Sequence, residues 1–149
     1  MLEASGNIFD FPHKHNHTEA ICVTTNGIVK KDGRAVMGAG VAKAFRDKFK
    51  NIDLRLAEHI RKNGNVTGVI CSVDGYYIIS FPTKNDWVND SDIDLIKQSA
   101  ILAKSLADNL KLTDIWLPRP GCANGHLQWS DVKKVIEPIL DDRFTIVTL

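Results

Sequence analysis

Cysteine is scarce in this 149-residue chain: Cys22, Cys71 and Cys122 are an odd three, far apart, with no C-x-x-C pair. That spacing excludes a disulfide framework and the usual zinc or thiol-redox sites, and it predicts reduced thiols in a reducing, cytoplasmic compartment. No apolar run approaches the roughly 20 residues a membrane helix needs, and the N-terminus lacks the basic and apolar stretches of a signal peptide, so no membrane partner is expected. Charge of one sign is not in excess either. Nineteen Lys and Arg stand against 18 Asp and Glu, a formal net charge of +1, which gives no global field to draw a polyanion. Basic residues are denser between Lys30 and Lys62, and Asp86, Asp90, Asp92 and Asp94 cluster; each group reads as a solvated face or as a local charged surface. Low-complexity linkers and internal repeats are missing. The length suits one folding unit with a real core, expected to span residues 1–149.

What is present alternates. Residues 20–24, 69–73, 76–81, 113–117 and 144–149 are short, β-branched or aromatic, and bounded by Gly, Asn, Asp or Pro, which predicts strands. Asp74-Gly75 is a hairpin turn between two of them. Pro82 cannot donate to a ladder, so the second hairpin strand is expected to stop there and to leave Lys84 just past its end. Helical spacing runs through Val41, Ala44, Phe45, Phe49, through Ile52, Leu56, Ile60, through Ile96, Ala100, Ala103, Ala107, Leu110, and through Val132, Val135, Ile136, Ile139. Ser130 is the expected N-cap of the last, with Asp131 in its first turn and Pro138 ending it early. Strands and helices in this order predict a three-layer α/β fold.

Two glycine loops could carry chemistry. Gly38-Ala39-Gly40 leads straight into the Val41 helix, so the backbone can approach a ligand closely while unpaired helix N–H groups point outward. This is neither a Rossmann fingerprint, since Lys43 stands where the third glycine would be, nor a P-loop, which needs Gly-Lys followed by Ser or Thr. The second loop, Pro120-Gly121-Cys122-Ala123-Asn124-Gly125-His126, again joins a strand to a helix. Loops at the C-terminal ends of strands are where α/β sheets bind ligands, and two of them rich in N–H groups can hold a diphosphate without a metal. Lys84 is expected at a strand end like these loops; charged, it could protonate a leaving group, and neutral, it could attack a carbon. His126 could touch phosphate or act as an acid. Cys122 reads as a small packed residue, there being no His base to activate it. Trp87 could stack on a base or simply pack. His13, His15 and His17 alternate, which suits a surface loop and also one side of an extended metal site.

The residues resemble the macro domain family, whose members bind ADP-ribose. Gly6-Asn7-Ile8-Phe9 is similar to the family's opening Gly-Asp-Ile motif, Asn26 to its distal-ribose asparagine, and Val36-Met37-Gly38-Ala39-Gly40-Val41-Ala42 to its first phosphate loop. The run from Leu117 to Trp129, with Gly121, Cys122, Ala123, Asn124, Gly125 and His126 at its centre, resembles the second phosphate loop of the branch that contains the terminal ADP-ribose protein glycohydrolase and the DNA ADP-ribosyl glycohydrolase antitoxin. Phe81-Pro82-Thr83-Lys84 resembles that branch too, and the resemblance implies that Lys84 is the catalytic residue.

Asn7 replaces the aspartate that many members place at the adenine, and its side-chain oxygen can still accept. Gly125 stands where the protein-directed hydrolase carries a catalytic aspartate, and the DNA-directed relative has the more similar loop. Thr24-Thr25-Asn26-Gly27 differs from the Asn-Ala-Ala-Asn string of other hydrolytic members. The resemblance therefore implies a three-layer α/β/α macro-domain-like fold with a central mixed sheet. It also implies ADP-ribose held by Asn7, Ile8, Asn26, Gly38, Ala39, Gly40, Val41 and Gly121 to His126, with no cofactor and no metal. The expected activity is hydrolysis of an ADP-ribosyl bond on a protein or nucleic acid. A non-catalytic reader, a phosphatase acting on ADP-ribose 1''-phosphate, and a nucleic-acid module using the Lys30 to Lys62 face stand as rivals.

Overall fold

The computed structural model describes residues 1–86 and 88–149. Trp87 lies outside the described residues. The described strands are β1 (Leu2–Ser5), β2 (Glu19–Asn26), β3 (Gly68–Val73), β4 (Tyr76–Lys84), β5 (Asp114–Pro118) and β6 (Phe144–Thr148), and they form one sheet in the order β1-β6-β5-β2-β4-β3. Every pairing is parallel except β3 with β4, which the Asp74-Gly75 turn joins as a hairpin. Both turn residues have positive φ, 47° and 81°, as a turn matched to strand twist requires. The sheet is thus mixed, with its antiparallel strand at the edge.

The period-2 alternation of β2 separates the two faces. Ala20 and Cys22 pack with α3 (Ile93–Leu110) and α4 (Trp129–Ile136), while Ile21 and Val23 pack with α1 (Gly40–Lys48) and α2 (Ile52–Asn63). Two apolar clusters on opposite faces of one sheet make the three layers. Phe45, Leu56, Ile96, Ala100, Val132 and Ile136 are the buried anchors of the four helices, so the expected stripes do face the sheet. Ala44 is an exception: it is exposed, and Ala42 packs in its place.

Two expectations need correction, and one strand, β1, was not foreseen. β1, with its four residues Leu-Glu-Ala-Ser, is a short edge strand paired to β6 alone, and nothing in its composition marks it. Gln128, not Ser130, is the N-cap of α4, and Ser130 lies inside the first turn beside Asp131. Pro82 does not stop β4, which runs on to Lys84. The Pro82 carbonyl accepts from Ser99 Oγ at 2.7 Å, so its missing N–H lies on that same side, where β3 has ceased to pair beyond Ser80. The side toward β2 keeps its register, with Thr25 opposite Pro82 and Asn26 opposite Lys84 after a bulge. A proline is tolerated where a strand has become an edge on its donor side.

At the other end of the sheet the histidine segment is a strap. Glu19, fully buried, accepts from the N–H groups of His13 at 3.0 Å and Lys14 at 2.7 Å. His15 Nδ1 pairs with the Asp74 carbonyl at 2.6 Å, and the His17 ring packs tilted against Tyr77. The three rings have different partners.

Candidate functional site

The C-terminal ends of β2, β4, β5 and β6 open into one cavity of about 810 Å3, a size usual for nucleotide-scale ligands. Thr24, Thr25 and Asn26 come from β2, Thr83 and Lys84 from β4, Pro118 and Arg119 from β5, and Val147, Thr148 and Leu149 from β6. Two segments close the walls, residues 36–42, which lead into the first turn of α1, and residues 121–125 after β5.

The first loop ends at Ala39, the N-cap of α1, whose side chain makes no capping bond. The N–H groups of Gly38, Ala39, Gly40 and Val41 have no backbone acceptor among the described residues, so helix and loop together present donors and a partial positive charge to the cavity. Gly40 has φ +57°, and a Cβ there would lie 2.9 Å from Asn124 Nδ2; the two loops touch at this point. Gly38 faces open space.

The second loop is closed on itself by Leu127 N–H donating to the Gly121 carbonyl at 2.9 Å. The N–H groups of Ala123, Asn124 and Gly125 have no backbone acceptor among the described residues. This is the second set of donors. A Cβ on Gly125 would run into Ser91 Oγ and lie 2.5 Å from the Gly121 carbonyl, so the loop sits tightly on the segment that precedes α3.

Lys84 reaches across to this loop, its Nζ donating to the Asn124 carbonyl at 3.1 Å. Among the described residues no carboxylate lies within 4.0 Å of it. An ammonium beside two sets of N–H donors, with no acid to neutralise it, favours a dianionic ligand. Asn26 also lines the cavity, but its carboxamide accepts from Ile28 N–H at 3.1 Å and donates to the Val36 carbonyl at 3.5 Å, bracing the excursion that carries the first loop. Cys122 Sγ donates to the Pro120 carbonyl at 3.4 Å, and burial pushes its thiol above the ordinary range although Arg119 pulls it back. It is a packed thiol.

The structure thus brings Asn26, Gly38 to Val41, Lys84 and Gly121 to Gly125 into one cavity. Asn7, Ile8 and His126 do not line it. Asn7 and Ile8 lie one strand beyond, where Gly6 N–H donates to the Thr148 carbonyl at 2.8 Å. Asn7 Oδ1 caps a one-turn 3-10 helix through Phe9 N–H, and Ile8 is buried beneath the α1 face. His126, at φ +64°, is exposed with its Nδ1 2.8 Å from Asp90 Oδ1. It lines an adjoining hollow of about 480 Å3 with Arg119, Gln128 and Trp129. There Arg119 sits 5.1 Å over the Trp129 ring, and Glu3, held below its ordinary carboxylate range chiefly by its hydrogen bond from Lys133, accepts from Trp129 Nε1.

Sequence reasoning singled out none of Thr25, Ser91 and Thr148. The strand-end rule could have found Thr25 and Thr148; Ser91 left no signal. In the basic stretch, Arg34 pairs with Asp53 at 2.8 Å and Lys43 with Asp47 at 3.3 Å, so part of its charge is spent within the fold. Among the described residues no group of His, Cys, Asp or Glu could hold a metal ion, and no helix is long and apolar enough to cross a membrane.

A model of the Macro domain family matches residues 31–136, from the segment before the first loop to the end of α4. The chain belongs to the macro domain family. This macro domain is 33% identical over 116 residues to the ADP-ribose glycohydrolase OARD1 of Bos taurus, covering 76% of this chain and 74% of that protein. To the DNA ADP-ribosyl glycohydrolase of Thermus aquaticus it is 28% identical over 142 residues, 91% of this chain but only 36% of that longer protein. Among solved structures it shares its fold with the macrodomain of Mycobacterium tuberculosis DarG, with a TM-score of 0.78 at 24% identity over 99% of this chain and 95% of that one.

Proposed function

We propose that this macro domain binds ADP-ribose, one molecule per chain, and hydrolyses an ADP-ribosyl bond on a modified protein or nucleic acid, with Lys84 as the catalytic residue. The observation that carries the proposal is the position of Lys84. Its Nζ is bonded to the Asn124 carbonyl at 3.1 Å on the wall of the cavity that both N–H-rich loops line. The family membership and the names of the two relatives support the same ligand and reaction class. Asn26 and the backbones of Gly38 to Val41 and Gly121 to Gly125 form the diphosphate and distal-ribose walls. The adenine end is read as lying past the end of β6 toward Asn7 and Ile8, which do not themselves line the cavity, and His126 stands outside it in the adjoining hollow. Residues 1–149 act as a single macro-type unit, a reading supported by a sheet that uses strands from both ends of the chain. The three free thiols support a reducing, cytoplasmic setting.

In hydrolysis the bond from the anomeric carbon of the distal ribose to its acceptor breaks and water's oxygen takes the acceptor's place. Lys84 serves this either by giving a proton to the departing atom or by attacking the anomeric carbon as a free amine. Incubation of ADP-ribosylated protein, DNA and RNA with the wild type and with Lys84→Ala, products read by mass spectrometry, tests the assignment. The variant should lose at least about a hundredfold in rate and keep an ADP-ribose affinity of micromolar order, because the lysine is needed mainly in the transition state. Lys84→Arg, which keeps charge but not a free amine, separates the two roles. Wild-type turnover in Lys84→Ala refutes the lysine. Binding without turnover on every substrate makes the protein a reader, and phosphate release from ADP-ribose 1''-phosphate makes it a phosphatase.

A further inference from the structure

Among the described residues three buried polar side-chain atoms have no hydrogen-bond partner, and two of them, Thr25 Oγ1 and Ser91 Oγ, belong to residues that line the cavity described above. Buried hydroxyls are ordinarily paired, because an unpaired one loses water without compensation. Ser91 is only 8% exposed. The usual reasons for a serine at such a place do not apply to it. It is not the cap of α3, since Asp92 Oδ1 accepts from Asp94 N–H at 2.9 Å and Leu95 N–H at 3.3 Å. It does not bridge loops through its side chain either, since the tie to the second loop is made by its backbone N–H, which donates to the Gly125 carbonyl at 3.0 Å.

Its hydroxyl instead occupies the slot that a side chain on Gly125 would fill. That places it against the loop whose Ala123, Asn124 and Gly125 N–H groups have no backbone acceptor, and Ser91 is itself among the residues that line the cavity. A glycine that leaves the slot, a serine that enters it, and a hydroxyl with nothing to bond form one arrangement. We infer that Ser91 is a ligand-binding residue whose hydroxyl donates to the diphosphate once that group is seated in the second loop, adding a side-chain donor to that loop's backbone N–H groups. The inference rests on the ADP-ribose reading of the cavity and extends it to a residue outside both glycine loops.

The test is Ser91→Ala, which removes one atom and keeps both the Cβ and the N–H bond to Gly125. Thermal melting of the free protein and calorimetric titration with ADP-ribose and with ADP are measured for wild type and variant. Stability and affinity should move in opposite directions. The melting temperature should be unchanged or slightly raised, since a buried unpaired hydroxyl is lost. The Kd should weaken about tenfold or more for both ligands, as expected for a hydrogen bond to a charged oxygen. A melt lowered by several degrees would show that Ser91 props the loop, and overturns the inference. So does an unchanged Kd, or a loss seen with ADP-ribose alone, which would put the hydroxyl on the ribose. Wild-type protein giving no heat with ADP-ribose would instead refute the reading of the cavity itself, and the inference with it.

Discussion

Gly125→Ala tests how tightly the second loop is seated. The added Cβ would overlap Ser91 Oγ and lie 2.5 Å from the Gly121 carbonyl and 2.8 Å from Gly121 Cα. Ser91 can rotate away, but Gly121 is backbone at φ +75°, and its carbonyl is already held by Leu127 N–H at 2.9 Å. The loop itself must therefore lift. Overpacking of this kind costs about 1–3 kcal/mol, and each kcal/mol is worth about 2–4 °C of melting temperature at this chain length. A fall of several degrees is expected. Lifting also misdirects the N–H groups of residues 123–125 and carries Asn124 O away from Lys84 Nζ. Loss of two hydrogen bonds to charged oxygens, roughly 1.5 kcal/mol each, weakens ADP-ribose binding on the order of a hundredfold. Scanning calorimetry and isothermal titration measure the two effects. Gly38→Ala is the control for the melt, since nothing lies within 4 Å of its added methyl, and it should melt within about a degree of wild type. If Gly125→Ala melts and binds like the wild type, the close seating of this loop on Ser91 and Gly121 is wrong.

Three smaller expectations follow from the same geometry. His126→Gly relieves a non-glycine residue at φ +64°, worth about 1 kcal/mol, against an exposed pair with Asp90 worth less than that; denaturant unfolding should show it equal to or more stable than wild type, and a clear loss would mean that the Asp90 pair holds the loop. Burial raises the Cys122 thiol and pushes Cys22 up to about 12, so iodoacetamide at neutral pH should label the native chain far more slowly than the unfolded one, and fast native labelling would contradict the packing. Hydrogen bonds from Arg143 at 2.8–3.1 Å hold the Asp141 carboxyl below its ordinary 3.8. A depressed carboxyl stabilises the fold above its unfolded pKa and loses that contribution as pH falls through the folded one. The stability gap between wild type and Asp141→Asn, under about 1 kcal/mol for so exposed a pair, should therefore hold from neutrality down to about pH 4 and shrink below it.

Most of the fold was legible because burial leaves a period in the chain. Ala20, Cys22 against Ile21, Val23 alternates as a strand covered on both faces must, and Ile96, Ala100, Ala103, Ala107 repeats as one helix face must. β1 was not legible because an edge strand with one neighbour needs neither β-branched residues nor alternation; its pairing with β6 closes a contact across nearly the whole chain. Pro82 misled for a related reason. A proline forbids a donor on one side of a strand only, and which side is open depends on where β3 ends, a property of the sheet and not of the residues around Pro82.

The candidate site divides the same way. Lys84 and the two loops are local signals, each a strand end or a helix start with the residue type its chemistry requires, so the chain announces them. Glycine alone does not announce why it is there. Gly121 is needed first for its backbone, at φ +75°, whereas Gly125, whose φ is not left-handed, is needed only because Ser91, 34 positions away by their numbers, and the Gly121 backbone fill its side-chain slot. From sequence the two look equivalent, and each could be assigned to close approach by a phosphate. In the structure a side chain on Gly121 would need a left-handed conformation and would also crowd Ile96 Cδ1 and Ser91 Cβ, each 2.9 Å from its Cβ, whereas one on Gly125 would meet Ser91 Oγ and the Gly121 backbone. Glu at position 125, a natural choice for blocking a phosphate loop by charge, would therefore displace the loop before its charge was felt, and loss of binding in that variant would not by itself locate the diphosphate. The conformationally free Gly38, open to the cavity and clear of neighbours within 4 Å, is the position from which a carboxylate can repel the ligand without first moving the protein.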